Sequence, residues 1–298
     1  MLKRTLTGAI FVTILISSIL LGSITFYLLF SVIVILSMIE FYSFSKHASA
    51  KPQMWLGVFT GWLFFTFNYL YAVDFIQLRY FVIFIPIFIL FMINELYLYH
   101  KRPLTSLAFS FLGIIYVAVP FAMLNYFVFR SGVNITEVDV TAGTEDLINN
   151  SVDYMNFLNP NKTVFYTPYF LLGFLILIWI YDTFAYLVGI AIGKHRLFER
   201  VSPKKSWEGA FGGAVAAIGL SLLFPFFFPT ILWYQWMVLA GLIVIFSTYG
   251  DLVESLFKRS LQLKDSGSML PGHGGMLDRF DSVLIAAPIV FVYLQSLY

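Results

Sequence analysis

"LLGFLILIWIYDTFAYLVGIAI", Leu171 to Ile192, carries one charged residue in 22. A helix needs about 20 mainly apolar residues to cross a hydrocarbon core of about 30 Å. The stretch therefore reads as a spanning helix. Its exception, Asp182, lies about ten residues from the end of the run, near mid-membrane at a rise of about 1.5 Å per residue. A lone carboxylate at that depth costs about 2.5 kcal/mol or more, so it must face a polar cavity or a partner. Two uses fit it: a functional group, or a hydrogen-bonded pin between helices.

Outward from this stretch the same pattern covers most of the chain. Of 298 residues, 60% are hydrophobic and 11% charged, against roughly 25% charged in an average soluble domain. One water-soluble core does not hide so much apolar side chain. Nine stretches qualify as spans, at 5–21, 24–44, 54–73, 79–99, 104–129, 165–192, 207–228, 231–250 and 280–297. The expected fold is all-α, a polytopic membrane protein of nine transmembrane helices. Lys3 and Arg4 followed by an apolar run resemble the start of a signal peptide. Direct passage into the second span, with no A-x-A site near Gly22, favours a retained helix that turns tightly at Gly22–Ser23.

Charge sets the expected orientation. With the N-terminus in the cytoplasm and the C-terminus extracytoplasmic, only Arg79, Arg130 and Lys162 of the 18 Lys and Arg fall outside. Three regions follow: a five-helix membrane region (1–129), an acidic extracytoplasmic loop (130–164), and a four-helix region (165–298) carrying a polar segment at 251–281. Zero cysteines exclude disulfides and thiolate metal sites, and a net charge of +2 gives no argument for nucleic acid.

Besides Asp182, two segments on the cytoplasmic side depart from loop composition. In "SPKKSWEG", Ser202-Pro203 stops one helix, and Lys204, Lys205 and Ser206 precede a new one near Trp207. Cations and hydroxyls at a helix N-terminus form a phosphate-type site. The second segment runs from "YGDLVESLFKR" into "KDSGSMLPGHGGMLDRFDS". Asp251 ends the eighth span, and Glu254 follows one turn later on a similar face. Asp278 and Asp281, three apart, share a face if the ninth helix has begun. With Asp251 they form an oxygen-only set of the kind Mg²⁺ takes. Gly274 and Gly275 allow backbone amides to approach a polyphosphate. Cations, metal-type acids and glycines together read as phosphoryl or nucleotidyl transfer. A secondary transporter is the reading from another class, resting on mid-membrane Asp182; crowding of the polar groups on one face weighs against it.

"SLFKRSLQLKDSGSMLPGHGGMLDRFDS" resembles the motif of the phosphatidate cytidylyltransferases, or CDP-diacylglycerol synthases. Its fixed elements stand at Ser255, Lys258, Arg259, Lys264, Asp265, Gly267, His273, Gly274, Gly275, Asp278, Arg279 and Asp281. "SPKKSWEG" and "YDTFAY" are similar to other landmarks of that family. The resemblance implies transfer of CMP from CTP to phosphatidic acid, giving CDP-diacylglycerol and pyrophosphate. A relative with another lipid acceptor is the runner-up among enzymes. On this reading Asp251, Asp278 and Asp281 hold Mg²⁺, with Mn²⁺ as the alternative and a second cation allowed for. Lys264, His273, Arg279 and Asp182 are the catalytic candidates. Ser202, Lys204, Lys205, Ser206, Lys258, Arg259, Gly274 and Gly275 are the substrate-binding ones. The resemblance further implies a homodimer. The compact chain reads as bacterial, a protein of the cytoplasmic (inner) membrane, and the charge distribution puts the site on the cytoplasmic side.

Overall fold

The computed structural model describes residues 2–48, 50–131, 164–228, 231–263, 266–267 and 274–297. The acidic loop, apart from its flanking residues, lies outside the described residues, as do Lys264 and His273.

Continuous apolar runs become helices. Helix α1 (Leu2–Leu21) and α2 (Ser23–Ser43) are separated by Gly22 alone, the tight turn expected there. Helix α3 (Met54–Ala72) follows, and a 3-10 stretch (Leu78–Ile83) leads into α4 (Phe84–Leu98). Helix α5 (Pro103–Gly113) continues through a π turn (Ile114–Ala118) into α6 (Val119–Met123) and α7 (Asn125–Val128). Pro120 has no N–H for the carbonyl one turn back, which fits a local change of helical register. Strand β1 (Phe129–Ser131) pairs antiparallel with β2 (Val164–Tyr166) at the two ends of the acidic loop. Then come α8 (Tyr169–Ile192), β3 (Arg196–Phe198), β4 (Ser202–Ser206), α9 (Trp207–Ser221), α10 (Phe224–Phe227), α11 (Trp233–Ser260) and α12 (Leu277–Leu297).

Among the described residues, six helical stretches are long and apolar enough to cross a membrane: Ser23–Ser43, Leu78–Leu98, Pro103–Val128, Tyr169–Ile192, Trp233–Ser260 and Leu277–Leu297. The other three expected spans are helical too, but shorter or less apolar; the apolar part of α1 is Leu6–Leu21, and α9 has 15 residues.

The chain divides into two compact units. One comprises residues 10–39 and 50–168. Its core is aromatic: Phe26, Phe30, Phe65 and Phe121 are buried, with Phe26 against Phe30 at 4.6 Å. The other comprises residues 1–9, 40–49 and 169–298. There Trp236 is fully buried, stacked on Phe170 at 5.6 Å and edge-on to Phe224 at 5.2 Å. Helices α8 and α9 approach backbone to backbone: a Cβ at Gly209 would sit 2.6 Å from the Ala185 carbonyl, and one at Gly213 2.7 Å from that of Tyr181.

Two features differ from the sequence expectation. Helix α11 does not end at Asp251 but runs on to Ser260. Pairs four residues apart support the added turns: Ser255 Oγ donates to Asp251 Oδ1 at 3.2 Å, and Lys258 meets Glu254 at 3.1 Å. At 28 residues the helix is about 42 Å long, more than a hydrocarbon core of about 30 Å. The segment before α9 is not a plain helix-breaking loop. Strands β3 and β4 form an antiparallel hairpin, with Arg196 opposite Ser206 and Phe198 opposite Ser202.

Candidate functional site

The polar side chains of the second unit gather around two lysines. The first is Lys258, on the last turns of α11, with its Nζ 2.7 Å from Asp278 Oδ1 and 3.1 Å from Glu254 Oε2. Glu254 is fully buried, so its carboxyl needs a polar partner, and the Lys258 ammonium supplies one. Helix α12 begins at Leu277, which puts Asp278 and Asp281 in its opening turns, as the spacing required. The other oxygen of Asp278, Oδ2, accepts from the backbone N–H of Ser266 at 3.1 Å and of Gly275 at 2.9 Å. Asp278 thus clasps both described ends of the segment that precedes its helix.

The second centre is Lys205, on β4. Its Nζ lies 2.5 Å from Asp251 Oδ2, and the two side chains are 28% and 31% exposed, so solutes reach the pair. Asp182 of α8 and Asp281 of α12 both lie within the electrostatic field of Asp251, and Asp182 within that of Lys205. Beside them the hydroxyls of Tyr181 and Thr248 are hydrogen-bonded to each other. Asp281 and Asp278 in turn act on Glu254, which joins the two centres. The expected acids are therefore brought into one region, on α8, α11 and α12. Among the described contacts, Asp251 and Asp278 have different lysine partners, Lys205 and Lys258.

Among the described residues, no three acid or imidazole groups stand as a ready metal-ligating cluster. The carboxylates are nonetheless an oxygen-only donor set balanced by ammonium groups. Such a set can hold or exchange cations and can present cations to phosphate oxygens.

The sequence matches the profile of the family described as "Cytidylyltransferase family" over residues 2–297. The chain belongs to the cytidylyltransferase family. Within it, the chain is similar to proteins named phosphatidate cytidylyltransferase. One from Staphylococcus epidermidis (strain ATCC 35984) is 45% identical over 128 residues, 42% of this chain and 48% of that protein. Those of Bacillus subtilis (strain 168) and Haemophilus influenzae are each 43% identical, over 120 and 125 residues. These cover 40% of this chain in both cases, and 45% and 43% of the relatives. The chain thus matches a little under half the length of each of these relatives.

The remaining candidates take varied positions in this cytidylyltransferase-family chain. Lys204 and Arg279 are exposed, on β4 and α12. Arg259 is exposed at the end of α11, with Nη1 3.4 Å from the Leu263 carbonyl. Ser202 is half-buried on β4. Ser206 is buried and caps α9, its Oγ accepting from the Gly209 N–H at 3.2 Å. Beside it, the N–H groups of Lys194 and His195 and the His195 ring, at 2.6 Å, bind Glu208. Gly274 adopts φ +84°, a left-handed conformation that glycine favours.

One residue of this region escaped the sequence reading. Glu40, near the end of α2, is 3% exposed. Its Oε1 accepts from Ser266 Oγ at 2.7 Å and its Oε2 from the Leu277 N–H at 2.9 Å. The available signal was a lone acid inside the apolar run "VIVILSMIEFYSF".

Proposed function

We propose that the chain transfers CMP from CTP to phosphatidic acid, forming CDP-diacylglycerol and pyrophosphate. An oxygen of the lipid phosphate attacks the α-phosphorus of CTP. The bond from that phosphorus to the bridging oxygen of the β-phosphate breaks, and pyrophosphate leaves with the electron pair. The attacking oxygen is already anionic near neutral pH, so no strong base is needed. The main obstacle is the approach of two anions, and neutralising their repulsion is the protein's task.

The observation that carries this reading is the pair of lysine–carboxylate contacts, Lys205–Asp251 and Lys258–Asp278. Each ammonium is held beside acids and turns to phosphate oxygens when an anionic substrate arrives. Lys204, Arg259 and Arg279 add exposed positive charge from the same unit. Lys264 completes the cationic set and His273 positions the leaving group. Ser202 binds substrate, and the Gly274–Gly275 backbone borders the triphosphate. Asp182 orients Lys205, whose field it shares.

Asp251, Asp278 and Asp281 are the residues that would hold Mg²⁺, or Mn²⁺ in its place. Their chemistry fits a hard ion that takes one or two carboxylates and fills its shell with water and phosphate oxygens. The ion, when bound, adds positive charge between the nucleotide phosphates.

The enzyme works as a nine-span protein of the bacterial inner membrane, with its N-terminus and site on the cytoplasmic side. The Lys and Arg distribution and the bacterial relatives support this placement. A homodimer rests on the family resemblance alone. The test is purified protein in detergent with Mg²⁺, labelled CTP and phosphatidic acid. Lipid-linked CDP and an equal amount of pyrophosphate are expected; CTP left intact, or a product on a different lipid, would overturn the assignment.

A further inference from the structure

We infer that Glu40 is a positioning residue for the proposed CMP transfer, holding Ser266 and the start of α12 at Leu277 in their working arrangement. The inference rests on that reading of function.

A carboxylate that is 3% exposed within a membrane helix is costly, and persists only where its oxygens are hydrogen-bonded. Both Glu40 oxygens are so used, and by opposite ends of one segment. Oε1 takes the Ser266 hydroxyl at 2.7 Å, where the segment is entered. Oε2 takes the Leu277 N–H at 2.9 Å, where it becomes α12. Leu277 is the first residue of that helix, and its N–H is one of the donors that a helix leaves unpaired. A negative group there also meets the favourable end of the helix dipole. Glu40 thus acts as a helix cap supplied from 237 residues away in sequence.

The glycines record how close this contact is. A Cβ at Gly275 would collide with Glu40 Oε1 and with Ser266 Oγ, and one at Gly267 would collide with Glu40 Oε1. Three features therefore interlock: the Glu40 carboxylate, a hydroxyl, and two positions without side chains. Asp278 binds the same stretch through the N–H groups of Ser266 and Gly275. Asp278 also carries Lys258. A shift of the ends would move the Asp278 carboxylate and with it the lysine. Misplacement by about 1 Å at a reacting centre is enough to cost about 100-fold in rate.

Glu40→Gln keeps length and both contacts. Its amide oxygen accepts from Leu277 N–H, and its NH₂ donates to the Ser266 oxygen. Glu40→Ala removes both contacts, and Ser266→Ala removes one without touching the buried acid. The full-length enzyme in detergent is compared with these variants and with Glu40→Ala/Ser266→Ala. The readouts are CMP transfer at saturating and limiting CTP and hydrogen exchange of residues 274–277 without substrate. Glu40→Ala should lower kcat by about 100-fold while changing KM for CTP by less than about threefold. Ser266→Ala should lower kcat by about fivefold, and the double variant should be no slower than Glu40→Ala. Glu40→Gln should recover all but about fivefold, and residues 274–277 should exchange faster only in the variants that lose contacts.

Glu40→Ala with wild-type kcat and unchanged exchange would overturn the inference. So would Glu40→Gln as slow as Glu40→Ala, or independent effects of Glu40 and Ser266. If the wild-type enzyme formed no lipid-linked CDP, the proposed function would fall. The exchange of residues 274–277 would then decide the role of Glu40 by itself.

Discussion

The two units each bury a polar network within apolar helices, and the networks are built differently. In the unit of residues 10–39 and 50–168, Gln53 lies at the centre. Its Nε2 donates to the Phe91 carbonyl at 2.8 Å and to Glu95 Oε2 at 3.0 Å, and its Oε1 accepts from Asn94 at 2.9 Å. The other Glu95 oxygen meets the His100 ring at 2.7 Å. One acid is matched by one ring and one amide, which is a closed structural clasp. In the other unit Asp182, Asp251, Glu254, Asp278 and Asp281 share two lysines, Lys205 and Lys258, among the described contacts. Several acids are linked there through shared lysines, and the Lys205–Asp251 pair is partly exposed. A buried network closed on itself stabilises a fold; one with a partly exposed ion pair can exchange its partner for an ion or a charged substrate.

Substitutions that separate these two designs sharpen the contrast. The largest effect is expected for Asp251→Asn, which removes charge beside Lys205 but no backbone contact. It should cut CMP transfer by about a thousandfold with unchanged hydrogen exchange at residues 274–277. Asp278→Asn should match that loss in rate and also speed exchange, because Asp278 holds the Ser266 and Gly275 amides. Equal exchange in the two variants would erase the distinction between them.

Next is Lys205→Ala, expected to lower kcat/KM for CTP by about 100-fold, with a smaller loss at high Mg²⁺ as the ion makes up part of the missing charge. A loss independent of Mg²⁺ would argue that Lys205 only steadies β4. Glu95→Gln tests the opposite design. It should lower stability by about 1–3 kcal/mol, read from thermal unfolding in detergent, and leave the rate within about twofold. A large loss of rate would mean that the clasp is no mere clasp.

The smallest effect concerns Glu208, which accepts from the N–H groups of Lys194 and His195 just before β3. Glu208→Gln should speed exchange of those two amides by about fivefold at most and spare most of the activity; a large loss of rate would place Glu208 in the site.

Much of this was legible in the sequence, for physical reasons. Lipid demands long apolar runs, so each expected span has a helix at its place, and an acid such as Asp182 stands out against that background. The i,i+3 spacing of Asp278 and Asp281 needed only that α12 begin at Leu277, as it does. What was not legible depends on contacts remote in sequence or on mixed signals. The continuation of α11 past Asp251 rests on side-chain pairs in a polar stretch that resembles a loop. The β3–β4 hairpin is charged and contains Pro203, so no alternation marks it. Glu40 has its hydroxyl partner 226 residues away.

The most direct measurement follows two labels of CTP in the presence of Mg²⁺ and phosphatidic acid, one on the α-phosphate and one on the γ-phosphate, for the wild-type and Asp251→Asn enzymes. The wild type should move the α-label into lipid and release the γ-label as pyrophosphate, mole for mole, while Asp251→Asn should do neither above background. Transfer by Asp251→Asn at the wild-type rate would contradict the claim that the acids of α11 and α12, paired with Lys205 and Lys258, bring the two anions together.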